Sequence, residues 1–176
     1  MKGTNEQIIY LDRRERMCIA MSSKLPAPIY IFLNYCDSSP LEKKILDCGA
    51  GGPNPPLSLF HESGYQTYGI EISEDQIYQS SLFCKEHNVH LNIIQGDMKD
   101  IPFQDVSFSF LFSYNTSVHI KKSDFSIAIS EFFRVLQPGG LCYVNFLTHE
   151  CSTYGAGTEI NEGEFIQVDN DEDVLY

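Results

Sequence analysis

Short apolar runs and longer amphipathic stretches alternate along this chain, and the alternation predicts strands and helices in turn. Ile45 and Leu46 lead an apolar run that ends in Asp47. Gln66–Glu71 (QTYGIE), His90–Gln95, Ser107–Ser113 (SFSFLFS) and Gly140–Leu147 (GLCYVNFL) are four further runs of strand length. Between them, apolar residues return at helical spacing. Leu57 and Phe60 form one stripe, and Phe125, Ile129, Phe132 and Leu136 form another. Ser73, with Gln76 three residues on, is a capping box that opens a helix to about His87. The later helix stops at Gln137-Pro138-Gly139-Gly140, where proline and glycine turn the chain. Upstream, Ile8–Met21 is weakly amphipathic, and Ile29, Phe32, Leu33 and Cys36 fit one more helical stripe. Alternating elements of this kind predict an α/β fold: a doubly wound, mostly parallel sheet with right-handed crossovers and helices on both faces.

The candidate chemistry sits at the strand ends. In KILDCGAGGPNPP, Lys44 to Pro56, an apolar run ends in an acid and a glycine-rich turn follows. Gly49 and Gly51 lack a Cβ, so the chain can bend sharply and bring backbone N–H groups close to a ligand. Asn54 is expected as the N-cap of the next helix and Pro55 as its first residue. Taken singly, such a turn is also what an ordinary loop looks like. The second strand adds to it, because Glu71 lies some twenty residues beyond the turn, where an acid can accept hydrogen bonds from a ribose diol. Asp97 and Ser113 end the third and fourth strands. Ligands in parallel sheets sit outside the C-terminal strand ends, so Asp47, Glu71, Asp97 and Ser113 are predicted to share one rim.

Charge and cysteine content narrow the partners. Twelve basic against twenty-four acidic residues give a net charge of −12, which repels a polyanion at long range, so nucleic acid is not expected as substrate. Arg13-Arg14, Lys43-Lys44 and Lys121-Lys122 are short pairs that read as solvated faces. At 176 residues with 43% hydrophobic content, one core of useful size is expected. No apolar run approaches the roughly 20 residues that span a bilayer, and Met1-Lys2-Gly3-Thr4-Asn5 does not resemble a signal peptide. The six cysteines include no C-x-x-C pair, so no metal site is expected. Cys36, Cys48, Cys84 and Cys142 lie in apolar segments and read as buried thiols of a cytoplasmic protein.

In the order of its motifs, the chain from Leu41 to Thr148 resembles the class I S-adenosylmethionine-dependent methyltransferases. ILDCGAGG resembles the family's first motif, and YGIEIS its acidic second-strand motif. IIQGDMKDIPFQDVSFSF resembles the third-strand motif and the loop after it, and EFFRVLQPGGLCYV the closing helix, turn and fifth strand. The resemblance implies S-adenosyl-L-methionine as cofactor, S-adenosyl-L-homocysteine as product, and a Rossmann-like methyltransferase fold. It implies that Gly49 and Gly51 pass the methionine part, that Asp47 orients its amino group, and that Glu71 holds the ribose hydroxyls, with Ala50 and Ile72 as neighbours in the site. Asp97 would accept from the adenine amino group, Met98 would pack on the ring, and Ser113 and Tyr114 would flank the methyl end. The chain departs from the family pattern at Pro53, which stands for the usual third glycine and has no N–H to donate.

The same resemblance divides the chain into an N-terminal helical cap over 1–40, the cofactor-binding core over 41–150 and an acidic C-terminal segment over 151–176. The cap implies contacts from Tyr10 and Arg13 to a small-molecule acceptor. His119 is the candidate general base, its unperturbed pKa of about 6.5 suiting neutral pH. Tyr114 and Asn115 would supply hydrogen bonds to the acceptor. The acidic segment is expected to be mobile, and the C-terminal antiparallel hairpin of the family to be shortened or missing, with only Glu164–Val168 (EFIQV) and Val174-Leu175-Tyr176 as short candidate strands. That would leave Gly140–Leu147 as an open edge, compatible with a truncated form or a homodimer. Two rival readings stay open: a binding protein of the same fold without turnover, and a nicotinamide-dependent oxidoreductase, which would need a phosphate-cradling turn.

Overall fold

A computed structural model describes residues 25–151, 154–169 and 172–175. The candidate substrate residues Tyr10 and Arg13 lie outside them. The elements, in chain order, are α1 (Ala27–Asp37), β1 (Lys44–Cys48), α2 (Leu57–Glu62), β2 (Gln66–Glu71), α3 (Glu74–His87), β3 (Ile93–Gln95) and β4 (Phe108–Ser113). A short 3-10 turn at Ser117–His119 leads into α4 (Lys122–Val135), then β5 (Leu136–Val144), β6 (Thr158–Asn161), β7 (Glu164–Asp169) and β8 (Glu172–Leu175). The first five strands form one parallel sheet in the order β3-β2-β1-β4-β5. The order reverses at β1, which brings the ends of β1, β2 and β4 around one crevice.

Alternate residues of the central strands point to opposite faces, and each face carries its own core. Ile45, Phe110 and Phe112 meet α1 and α2 on one side; Leu46, Ile70 and Leu111 meet Ala128, Phe132 and Val135 of α4 on the other. The predicted stripe Ile29, Phe32, Leu33 and Cys36 is buried in full. Phe60 of α2 stacks on Phe112 at 5.1 Å and lies edge-on to Tyr65 at 5.5 Å. Side chains of this size contribute roughly 1.5–3 kcal/mol each on burial, so these rings fix the helices against the sheet.

Local chemistry moves several predicted boundaries. Helix α2 starts at Leu57 with Pro56 before it and no side-chain cap, so Asn54 and Pro55 lie ahead of the helix. Ser73 accepts from the Gln76 N–H at 3.4 Å as the capping box requires. The reciprocal bond is replaced, because the Ser73 N–H donates to Glu71 Oε1 at 3.0 Å. Strand β3 begins only at Ile93, since Asn92 is left-handed (φ 52°) and its side chain donates to Thr67 O at 2.8 Å. In β5, Leu136 pairs with Phe108 and Leu141 with Phe110, so the residues between, with Pro138 unable to donate, are looped out of the ladder.

The C-terminal part corrects the expectation of a mobile tail. Strands β6, β7 and β8 form a separate three-stranded antiparallel sheet. Phe165 is buried against Tyr154 at 5.2 Å, and the buried Glu164 accepts from Asn161 Nδ2 at 2.6 Å and from the Lys122 N–H at the start of α4. None of these strands joins β5, which remains the edge of the large sheet among the described residues. Cys142 is accordingly exposed, and Cys84 is half-buried; only Cys36 and Cys48 of the four nominated thiols are fully buried. Among the described residues no helix is long and apolar enough to cross a membrane.

Val106, in the turn before β4, has φ 57° and is 57% exposed. A β-branched residue in that region is strained by roughly 1–2 kcal/mol, and its position is held by the bond from its N–H to Arg134 O at 2.9 Å. Asparagine tolerates the left-handed region, so Val106→Asn is expected to stabilise the fold by about 1 kcal/mol, a rise of about 2–4 °C in Tm. A thermal melt showing no rise would mean that the valine side chain makes a compensating contact.

Candidate functional site

The rim of the large sheet carries a cavity of about 390 Å³. It is built first from the glycine turn after β1. Gly49 has φ 105°, and a Cβ there would come within 2.1 Å of Thr116 Oγ1; at Gly51 a Cβ would come within 2.5 Å of Gln76 Cβ. No larger side chain fits either position. The N–H groups of the turn are already engaged: those of Gly49 and Ala50 donate to Ile70 O at 2.8 and 3.0 Å, and that of Gly52 to Gln76 O at 2.9 Å. The Gly51 N–H donates to Glu71 Oε2 at 3.2 Å. A carboxylate thus sits where a phosphate-binding turn would present free donors, and the short α2 begins several residues later.

The acids at the strand ends have distinct surroundings. Asp47 is 1% exposed, and neither of its carboxylate oxygens has a hydrogen-bond partner among the described residues. Burial, followed by the nearby negative charge of Glu71, pushes its pKa well above the ordinary value, so the neutral acid is favoured. Glu71 bridges the glycine turn and the start of α3 through its two oxygens. Asp97 Oδ1 accepts from the Lys99 N–H at 2.9 Å, which closes a tight turn after β3. Lys99 Nζ lies 3.1 Å from Asp124 and 3.7 Å from Asp97.

Of the residues nominated from sequence, Gly49, Glu71, Ile72, Asp97, Met98 and His119 line the cavity together. Asp47, Ala50, Gly51 and Ser113 do not line it. The Ala50 and Ser113 side chains are fully buried, and the Ser113 hydroxyl pairs with Ser117 Oγ at 2.9 Å. Tyr114 packs against the core beside α1 and α2. The Asn115 side chain is engaged with Asn145: the Asn115 N–H donates to Asn145 Oδ1 at 2.7 Å, and Asn145 Nδ2 donates to Asn115 Oδ1 at 2.6 Å. His119 Nδ1 lies 2.8 Å from Leu175 O. A carbonyl oxygen only accepts, so Nδ1 carries the hydrogen in that contact and Nε2 is the basic nitrogen of the neutral ring.

Sequence reasoning missed Thr116, Asn145, Asp124 and Leu175. Thr116 closes on Gly49, and Asn145 fixes the loop after β4; neither stands in a motif. Leu175 of β8 borders the crevice and also a second cavity of about 270 Å³. The second cavity is mostly apolar, with Phe125 edge-on to Phe146 at 5.0 Å and Tyr154 edge-on to Phe165 at 5.2 Å among its walls.

Comparison with known proteins agrees with this fold. The sequence family described as "Methyltransferase domain" matches residues 46–144. A sterol 24-C-methyltransferase of Gibberella zeae is 32% identical over 102 residues, 56% of this chain and 26% of that protein. Squalene methyltransferase 1 of Botryococcus braunii is 34% identical over 109 residues, 61% of this chain and 27% of that protein. The chain therefore spans about a quarter of the length of the curated relatives it matches. Among solved structures, a putative S-adenosyl-L-methionine-dependent methyltransferase from Methanococcus maripaludis superposes with a TM-score of 0.59 at 22% identity, covering 76% of this chain and 62% of that one.

The buried acid gives a pH signature. Because the pKa of Asp47 is raised on folding, the folded state holds its proton where the unfolded chain releases it. Its contribution to stability is therefore complete below the ordinary value of 3.8 and is lost as pH rises towards the folded-state pKa. Asp47→Asn removes this loss. Melts across pH 4 to 8 are expected to show the variant gaining on the parent as pH rises, and equal pH profiles would mean that Asp47 is not desolvated in solution.

Proposed function

The chain belongs to the methyltransferase-domain family, and on that footing we propose that its crevice binds S-adenosylmethionine for methyl transfer to a small apolar acceptor. The observation that carries the reading is the unpartnered carboxyl group of Asp47 at the end of the central strand, beside a turn that admits no side chain at Gly49 or Gly51. Asp47 stands behind that turn and outside the cavity lining, and a ligand that brings a cationic amino group to the turn, directly or through water, would offset the cost of its charge. Glu71 adds two acceptor oxygens for a ribose diol, and Asp97 an acceptor for an exocyclic amine, while Met98 offers an apolar surface for a planar ring. All the ligand-facing acids are suited to donors and cations. A nicotinamide dinucleotide asks for the reverse, because its pyrophosphate would meet Glu71 and a turn whose N–H groups are already bonded.

S-adenosylmethionine supplies a methyl group already activated on a sulfonium, so the protein's main task is placement, an effect worth up to roughly 7–11 kcal/mol in well-oriented systems. Thr116 and Gly49 shape the floor of the crevice. Ile120 and Leu175 border both cavities, so the aromatic cavity opens next to the first and is the proposed seat of the acceptor. The acceptors that the relatives are named for, sterols and squalene, are apolar, as the ring-lined walls are. His119 is the group placed to take up a proton, with Leu175 O holding the ring orientation through Nδ1. The net charge of −12 favours such an acceptor over a nucleic acid. A second reading, binding without turnover, is favoured by the open edge of β5, which has no further strand beside it among the described residues.

Calorimetry is expected to show binding of S-adenosylmethionine and S-adenosylhomocysteine and none of NAD. Glu71→Ala removes charged acceptors worth roughly 1.5–3 kcal/mol per hydrogen bond, so affinity should fall at least about tenfold. NAD binding without S-adenosylhomocysteine binding would overturn the assignment. Binding of S-adenosylmethionine and S-adenosylhomocysteine with no methyl transfer to sterol or squalene acceptors would select the second reading.

A further inference from the structure

A set of hydrogen bonds ties α4 to the loop before β4, away from the crevice. The Arg134 guanidinium donates to Ile101 O at 2.8 Å, to Phe103 O at 2.8 Å and to Asp105 Oδ1 at 2.9 Å. It also meets both oxygens of Glu131, at 2.7 and 2.6 Å. Glu131 Oε2 in turn accepts from the Ile101 N–H at 2.8 Å. The Arg134 main-chain carbonyl takes the Val106 N–H. Two residues of α4 therefore hold both main-chain groups of Ile101 and the chain beyond it as far as Val106.

Ile101 is the first residue after the turn that shapes Asp97. That turn is closed by the Asp100 N–H on Asp97 O at 3.0 Å and by the Lys99 N–H on Asp97 Oδ1. Its upstream side is fixed by β3, and its downstream side by Ile101. The Lys99–Asp124 pair also ties the turn to α4, but both groups are about one-third exposed and solvent screens them. The fork is the firmer tie, since Glu131 is 17% and Arg134 30% exposed, and each bond in it involves a charged group. Phe103 packs on Phe108 at 5.1 Å and on Tyr68 at 5.8 Å, which anchors the loop but does not orient its peptide groups.

We propose that Glu131 and Arg134 are positioning residues for purine recognition: by fixing the Ile101 peptide groups they hold the Asp97–Met98 turn in the one arrangement that reads an exocyclic amine. The inference rests on the reading of the crevice as the S-adenosylmethionine site. Lysine at 134 keeps the charge but not the planar fork, and cannot reach Ile101 O, Phe103 O and Glu131 together. Glutamine at 131 keeps the size but turns one acceptor into a donor facing Arg134.

The test compares Kd values for S-adenosylhomocysteine and its inosyl analogue, in which an exocyclic carbonyl oxygen replaces the 6-amino group, on the parent, Arg134→Lys and Glu131→Gln. The parent should prefer the adenosyl form at least tenfold, and both variants should lose at least fivefold of that preference. Loss of folded protein lowers both affinities equally and leaves the ratio unchanged, so the ratio separates positioning from stability. Hydrogen exchange without ligand provides the second measurement. The amides of Met98, Ile101 and Phe103 should exchange at least tenfold faster in the variants, with Leu46 and Leu111 unchanged. A ratio preserved in both variants would overturn the proposal. So would unchanged exchange at all three amides. A parent that binds neither compound, with the exchange result as expected, would overturn the cofactor reading and purine recognition with it, leaving the fork as a loop restraint only.

Discussion

A carboxyl group buried at the end of the central strand, with no hydrogen-bond partner among the described residues, is the constraint around which the rim is arranged. Asp47 costs the fold stability because water is excluded from it and because Glu71 lies close by. The structure eases the second term by giving Glu71 two backbone N–H groups, one from the glycine turn and one from the start of α3. Those bonds hold β1, β2 and α3 in a fixed relation, and they also remove the donors with which the turn could bind an anion. One charge arrangement thus disfavours phosphates and favours a ligand with a cationic end. The tension at Asp47 is the kind found where binding has been selected over stability.

Rigidity behind the rim makes this tolerable. Two apolar layers clamp the sheet, one under α1 and α2 and one under α4, and the stacked rings of Phe60 and Phe112 lie on the same face as Ile45. The strand ends cannot drift without disturbing both layers, so polar side chains at those ends keep their separations. The loops do not share that support and are tied individually: the segment after β3 by Glu131 and Arg134, and the segment after β4 by the Asn115–Asn145 pair. Each tie joins residues about thirty positions apart.

That sequence separation explains what could be read from the chain and what could not. The five parallel strands, the α1 stripe and the Ser73 cap were legible because each is written within a few neighbouring residues. So were the acids at the strand ends, since a strand of known direction places its last side chain at the rim. The engagement of Asn115 was hidden, because only the register that sets Ser113 opposite Val144 brings Asn145 to it. Glu131 and Arg134 stand three apart on one helix, a spacing that by itself carries no sign of Ile101 some thirty positions upstream. In the C-terminal sheet, β7 and part of β8 were legible as short apolar candidates, whereas Thr158–Asn161 was masked by acidic composition, and the same composition suggested a mobile tail rather than a sheet. The start of α2 was misplaced because Asn54 has the right chemistry for a cap but two prolines separate it from the first helical turn. Tyr10 and Arg13 fall outside the described residues.

Leu175 gives the C-terminal sheet a weight its size does not suggest. This one residue borders both cavities while its carbonyl meets His119. The two chambers therefore have a wall in common, and neither can be recut independently. On the proposed assignment of the two cavities, a lineage that altered the walls around Phe165 and Leu175 to admit a different acceptor would change, in the same step, the enclosure of the donor cavity and the orientation of the histidine. Acceptor range and donor retention are inherited together in such an arrangement, and diversification of one is paced by what the other tolerates.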